Sequence, residues 1–426
     1  MEIQKLTEHN PWWVTKKVPD ELKGLLRKGY ELLVKSVEIR EITIIIGVRR
    51  SGKSTLMYQM VDRLLSQGVA PEQIFFVNLE DLSLSKHTLD DIYNGYRNII
   101  NPDKKAYIFI DEIHRREGWE SWIRHHYDSQ SNCKFVISGS CSYLLKREYS
   151  TLLTGRNLAF EVFPLSFKEF IDFSRLDIDL QKAQGGLVLE TQIHQIMKAL
   201  NDYIEFGGFP AVFFTSKEFK GRLLQQYFDD MLYKDIIDRY NLNSKRAKDL
   251  ALFLLTNFTG MLSLRTLRGA LGLSYDTIKD YFAYFIEAYM VIIVDYFSFS
   301  MKDQKTRPSK VYCIDNGLRN AISFKFSRDE GKLVENLVLL ELKRNERNVY
   351  YWKNKGEVDF VIKNKDQSLT AINVSYTDAI DARETDALLE FQKTFKNIKE
   401  IILITKNVER EKGGIAFIPL WKWLLR

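Results

Sequence analysis

The chain has 426 residues, enough for roughly two to four domains. Its hydrophobic share of 45% and charged share of 28% are ordinary for a globular protein, and 62 basic against 56 acidic side chains leave +6, too little by itself to imply a nucleic-acid partner. Three cysteines without a C-x-x-C pair and six scattered histidines argue against a disulfide scaffold and a structural zinc site. No apolar run has the length of a membrane span, so a cytoplasmic protein without membrane contact is expected.

In chain order, residues 1–40 read as an N-terminal arm. An aromatic Pro11-Trp12-Trp13 precedes Leu22, Leu25, Leu26, Tyr30 and Leu33 at helical spacing. Residues 42–46, 74–77, 107–110 and 135–137 are short apolar runs that each read as a buried strand, and residues 55–65 read as a helix between the first two. Strands alternating with helices predict an α/β fold with a parallel sheet over residues 41–165. Residues 166–305 read mostly as helices. From 306 to 426 a mixed α/β pattern returns, with strands near 311–314, 349–352, 357–362, 369–375 and 401–404 and a helix over 333–343.

The segment Gly47-Val48-Arg49-Arg50-Ser51-Gly52-Lys53-Ser54 fits G-x-x-x-x-G-K-[ST] at every fixed position, and it follows a strand and opens a helix as that motif requires. Glycines let successive backbone N–H groups turn inward toward phosphate, and the positive end of the helix adds to that field. Lys53 would reach the β- and γ-phosphates and Ser54 would ligate Mg²⁺, with Thr55 packed or capping behind them. Gly47, Arg50, Ser51, Gly52, Lys53, Ser54 and Thr55 are therefore the candidate nucleotide-binding residues.

A later strand ends in Asp111-Glu112. A carboxylate at the end of a buried strand needs a partner. Asp111 is expected to hold Mg²⁺ and Glu112 to polarise an attacking water. Ser138 and Ser140, after the next strand, are candidates to contact the γ-phosphate or that water, and Ser140 completes the candidate set. Arg156, in Thr154-Gly155-Arg156, is the candidate arginine finger, acting in cis or from a neighbouring subunit; Arg49 and Arg50 are its rivals. The sequence has no guanine-specifying Asn-Lys-x-Asp motif, which leans toward ATP.

These segments, with Ile137-Ser-Gly-Ser140, Pro164-Leu-Ser-Phe-Lys-Glu-Phe170, Gly207-Gly-Phe-Pro210, Cys313-Ile-Asp315-Asn-Gly317 and Glu357-Val-Asp-Phe360, resemble AAA-superfamily P-loop ATPases of bacteria and archaea that carry a C-terminal domain of unknown function. The resemblance implies an ATPase core, a winged-helix-like middle and a C-terminal domain similar to restriction endonucleases.

Residues 245–297 fit that middle domain, with helix, short helix, a Gly272-Leu-Ser274 turn, a third helix and a strand. Arg265, Arg268 and Lys279 could meet DNA phosphates, while Asp276 and Asp280 weaken that field. The alternative is a structural lid or subunit contact, with the protein its own partner in an oligomer. In the C-terminal domain Asp359 and Glu335 match restriction-endonuclease positions. Asn373 and Ser375 stand where an acidic ligand and a lysine belong, so nuclease activity is not expected. The expected activity is Mg²⁺-dependent ATP hydrolysis coupled to DNA or protein binding. The alternatives are a slowly turning-over nucleotide switch and, disfavoured, an ATP-gated nuclease.

Overall fold

The computed structural model describes residues 3–129, 132–141, 153–176, 178–179, 185, 189–323, 330–345 and 347–426. The chain forms two compact units, Met1–Val162 and Phe163–Arg426.

In the first unit five parallel strands lie in the order β2-β3-β4-β1-β5: β1 (Ile42–Ile46), β2 (Ile74–Asn78), β3 (Ala106–Asp111), β4 (Cys133–Gly139) and β5 (Asn157–Glu161). β1 is buried at all five positions, as expected for a strand covered on both faces. Register aligns the carboxyl ends of three strands, with Ile46 opposite Gly139 and Ile110 opposite Ile137. The segments that follow β1, β3 and β4 therefore emerge side by side.

The arm serves the outer edge of this sheet. β2 has a strand neighbour on one side only, and an unpaired edge leaves N–H and C=O groups in need of partners. Asn10 meets that need with its side-chain amide, accepting from Phe76 N at 2.6 Å and donating to Phe76 O at 2.8 Å. Trp12 and Trp13 both donate their indole N–H to Ile74 O, at 3.1 and 2.9 Å. The aromatic pair is thus an edge cover. The helical spacing from Leu22 to Leu33 does not produce one helix. Gly24 adopts φ +51° and ends the short helix Asp20–Lys23, the next full helix is Glu31–Lys35, and Leu26 is left 65% exposed while Leu33 is buried. Glycine favours the positive φ that a helix cannot use.

In the second unit helix Ser244–Thr256 is followed by β6 (Met261–Leu262), helices Leu264–Leu271 and Tyr275–Glu287, then β7 (Val291–Val294) and β8 (Ser309–Cys313). The three strands form an antiparallel sheet in the order β6-β8-β7. Ser274 caps its helix, accepting from Thr277 N at 3.2 Å, and Ile278, Tyr281 and Phe285 turn into the core. The last sheet has six strands in the order β13-β14-β12-β11-β10-β9: β9 (Asn348–Lys353), β10 (Glu357–Lys363), β11 (Leu369–Ser375), β12 (Ile398–Thr405), β13 (Arg410–Lys412) and β14 (Ile415–Pro419). β11 and β12 are parallel, with helix Ala382–Thr394 between them in the chain.

Three of the singled-out motifs form one structural knot. Leu165 N donates to Gly208 O, and Gly208 N donates to Asp315 Oδ2, both at 2.7 Å. Asp315 Oδ1 accepts from Leu318 N at 3.0 Å. Gly207 sits at φ +72°, and a β-carbon there would lie 2.0 Å from Asp315 Oδ1. Arg344 ties the start of the unit into the knot by donating to Leu165 O at 3.0 Å. Complete burial pushes the Asp315 carboxyl up to about 6, against the pull of the Gly208, Leu318 and Gly317 amides. A carboxyl raised on folding contributes stability that is full below its unfolded pKa and lost as pH rises through 6. Relative to Asp315→Asn, the protein should therefore gain up to about 3 kcal/mol between pH 7 and pH 4, since two units of pKa are worth about that much. Urea unfolding midpoints measure this, and a difference that does not change with pH contradicts it.

Candidate nucleotide-binding site

The phosphate motif forms the turn between β1 and helix Lys53–Ser66. Gly47 takes φ +146°, and a β-carbon there would lie 2.1 Å from Val162 O, so only glycine fits. Arg50 (φ +69°) and Gly52 (φ +98°) complete the bend, and Gly52 stands at the N-terminus of the helix, whose first turn carries no acidic residue. Arg50 is exposed, Ser51 is buried and Thr55 is half-buried in the first helical turn. The Ser51 hydroxyl is buried and has no partner among the described residues.

Lys53 is 4% exposed, and its ammonium donates to Gly47 O at 3.0 Å and Val48 O at 3.2 Å, with Glu112 Oε1 at 3.7 Å. Ser54 Oγ donates to Asp111 Oδ2 at 2.5 Å, and Ser138 Oγ donates to the other Asp111 oxygen. Ser140 N donates to Glu112 Oε2 at 3.0 Å, while the Ser140 hydroxyl is buried without a partner among the described residues. Lys53, Ser54, Asp111, Glu112 and Ser140, predicted from segments up to 87 positions apart, thus form one cluster at the carboxyl ends of β1, β3 and β4. The two serines divide their tasks: Ser138 binds Asp111, and Ser140 reaches Glu112 through its backbone.

Electrostatics separates the paired carboxylates. Burial, then the neighbouring Glu112 charge, pushes Asp111 above the usual carboxylate range. Burial also works to raise Glu112, but Lys53, His114 and Arg49 outweigh it and hold its carboxyl below the ordinary value. Glu112 has φ +54°, a left-handed backbone that costs a non-glycine residue on the order of 1–3 kcal/mol and recurs at functional sites.

Arg156 lies apart from this cluster. Its guanidinium binds both oxygens of Asp128, at 2.8 and 3.3 Å, and is 29% exposed. Sequence reasoning missed Glu80, whose carboxylate binds Arg49 at 3.1 and 2.7 Å and Arg115 at 2.6 Å. It also missed Arg27, whose guanidinium donates to Ser51 O at 2.8 Å. No local pattern signals either contact, because their partners lie 31, 35 and 24 positions away.

In the second unit the Lys310 ammonium of β8 is surrounded by carboxylates, among them Glu335 and Asp359. The lysine is 2% exposed and lies 3.0 Å from Glu335, 3.1 Å from Asp359 and 2.7 Å from Glu357. Asp359 Oδ2 accepts from Val374 N at 3.0 Å, so both of its oxygens are engaged within the protein. Asn373 donates to Glu384 Oε2 at 3.1 Å and accepts from Asp359 N at 3.0 Å. Among the described residues no helix is long and apolar enough to cross a membrane.

Residues 39–171 match the family model of an AAA domain, residues 197–329 a domain of unknown function (DUF8612) and residues 330–423 another domain of unknown function (DUF4143). The chain is 30% identical to an uncharacterized protein of Methanocaldococcus jannaschii, over 94% of this chain and 92% of that protein. It is also 30% identical to an uncharacterized protein of Haemophilus influenzae, over 94% and 98%. Among solved structures, AMPPCP-bound DnaA from Aquifex aeolicus is similar at 12% identity and a TM-score of 0.30, over 65% of this chain and 91% of that one.

Proposed function

This chain belongs to the family of AAA-domain proteins that includes the Methanocaldococcus and Haemophilus relatives, and from that premise we propose that it is a Mg²⁺-dependent ATPase. The observation that carries the reading is the meeting of Lys53, Ser54, Asp111 and Glu112 at one end of one sheet, within 3.7 Å of their partners. Loop amides and the helix N-terminus would hold the phosphate chain, with Lys53 on the β- and γ-phosphates. Ser54 Oγ and Asp111 Oδ2 are hard oxygen donors, now hydrogen-bonded to each other, that would hold Mg²⁺ once the ion parts them. Bound there, the ion would withdraw charge from the phosphate oxygens. Glu112, steadied by Ser140 N, would accept the proton of the attacking water, and the Ser140 hydroxyl would face the terminal phosphate.

For the partner, the order of helix, strand, two helices and a strand pair over residues 244–313 favours a winged helix, and DNA over protein. Arg265, Arg268 and Lys279 are exposed on the two later helices, and Lys245, Arg246 and Lys248 on the first. Phosphate contacts from such residues make binding salt-dependent. The C-terminal domain, read as similar to restriction endonucleases and with both Asp359 oxygens engaged, would bind rather than cut. Phosphate release by the full chain with Mg²⁺ and ATP, with and without duplex DNA, tests both statements. Turnover is expected, faster with duplex and less so at high salt. Turnover no greater than that of Lys53→Ala would overturn the ATPase reading, and turnover indifferent to DNA would point to a protein partner.

A further inference from the structure

Resting on the nucleotide site proposed above, a second set of charges points to a further role. Glu80 stands two residues beyond the end of β2. Its carboxylate takes both Arg49 of the phosphate loop and Arg115 of the turn that follows Asp111-Glu112. One side chain thus joins the loops leaving β1, β2 and β3. Both guanidiniums are held on this one carboxylate, and the Arg49 side chain is 8% exposed, so its charge is largely withdrawn from water. Burial alone would raise Glu80, yet the two arginines hold it at about 2, so the tie persists at any working pH. Arg156, by contrast, is held by Asp128 at the surface.

We propose that Arg49 contacts the terminal phosphate and stabilises the charge that spreads over it during transfer, and that Glu80, shared with Arg115, is the positioning residue that aims it. A bidentate carboxylate fixes the plane of a guanidinium, which a single ammonium could not reproduce. The finger function would then be supplied within the chain, from the phosphate loop itself.

The test uses the full chain with Mg²⁺, ATP and ADP. Arg49→Ala should lower kcat by about 1,000-fold or more, the low end of what an arginine at this task contributes. Its ADP affinity should stay within about threefold of wild type, because ADP lacks the phosphate that Arg49 is inferred to touch. Arg49→Lys should recover little, and guanidinium at sub-denaturing concentration should partly restore Arg49→Ala but not Glu112→Gln. Glu80→Gln should lower kcat in the wild-type background and change it by less than about twofold in Arg49→Ala, the signature of two residues acting as one unit. A kcat for Arg49→Ala within about threefold of wild type, or ADP affinity falling in step with kcat, overturns the inference and leaves the ATPase reading intact. Wild type that binds neither nucleotide removes that reading instead. If Arg49→Ala does not fold, Arg49→Lys carries the same comparison.

Discussion

Lys53→Ala should bind ATP at least about 100-fold more weakly than wild type and release no phosphate above background. Losing one partner of a buried charge pair costs on the order of 2–5 kcal/mol, and about 1.4 kcal/mol is a tenfold change in affinity. Lys53 is almost wholly buried, so no water replaces its ammonium cheaply, and no other lysine stands in the phosphate loop. The substitution also leaves Glu112 without the cation that lies 3.7 Å away. Fluorescent-nucleotide titration alongside thermal unfolding separates lost binding from lost fold. Wild-type affinity in a folded variant would remove Lys53 from the phosphates.

Glu112→Gln should part binding from turnover. Hydrolysis should slow on the order of 100-fold or more, as when a positioned base is removed. ATP affinity should hold or rise, because Lys53 no longer faces a carboxylate. The glutamine oxygen can still accept from Ser140 N, which sits 3.0 Å from the present carboxylate, so the strained backbone keeps its tether. Single-turnover phosphate release with parallel binding measurements reads both quantities. A variant that turns over at the wild-type rate would place the base elsewhere.

The core of this site was legible because its parts are local patterns. A strand, a glycine-rich turn and a helix announce the phosphate loop, and an apolar strand ending in Asp-Glu announces the second carboxylate pair. Contacts between distant segments were not legible. Glu80 looks like any acid in a polar turn until β2 and β1 place it beside Arg49. Lys310 lies 49 positions from Asp359, and only the pairing of β8 and the packing of helix Glu330–Arg344 bring it among three carboxylates. The arm shows the converse error. Leucines at helical spacing suggested a helix, but Gly24 breaks it, and the side chains that matter there, Asn10, Trp12 and Trp13, bind the exposed edge of β2. Pro164–Phe170, Gly207–Pro210 and Cys313–Gly317 stood out as motifs, and bonds such as Leu165 N to Gly208 O and Gly208 N to Asp315 join them, so their residue types answer to packing in the second unit.

The most direct measurement is a calorimetric titration of the full chain with ATP in the presence of Mg²⁺. Saturable binding of one nucleotide per chain, abolished by Lys53→Ala and weakened by removing Mg²⁺, is the predicted result. No heat from wild type at millimolar ATP, or equal binding by wild type and Lys53→Ala, would contradict the account at its base.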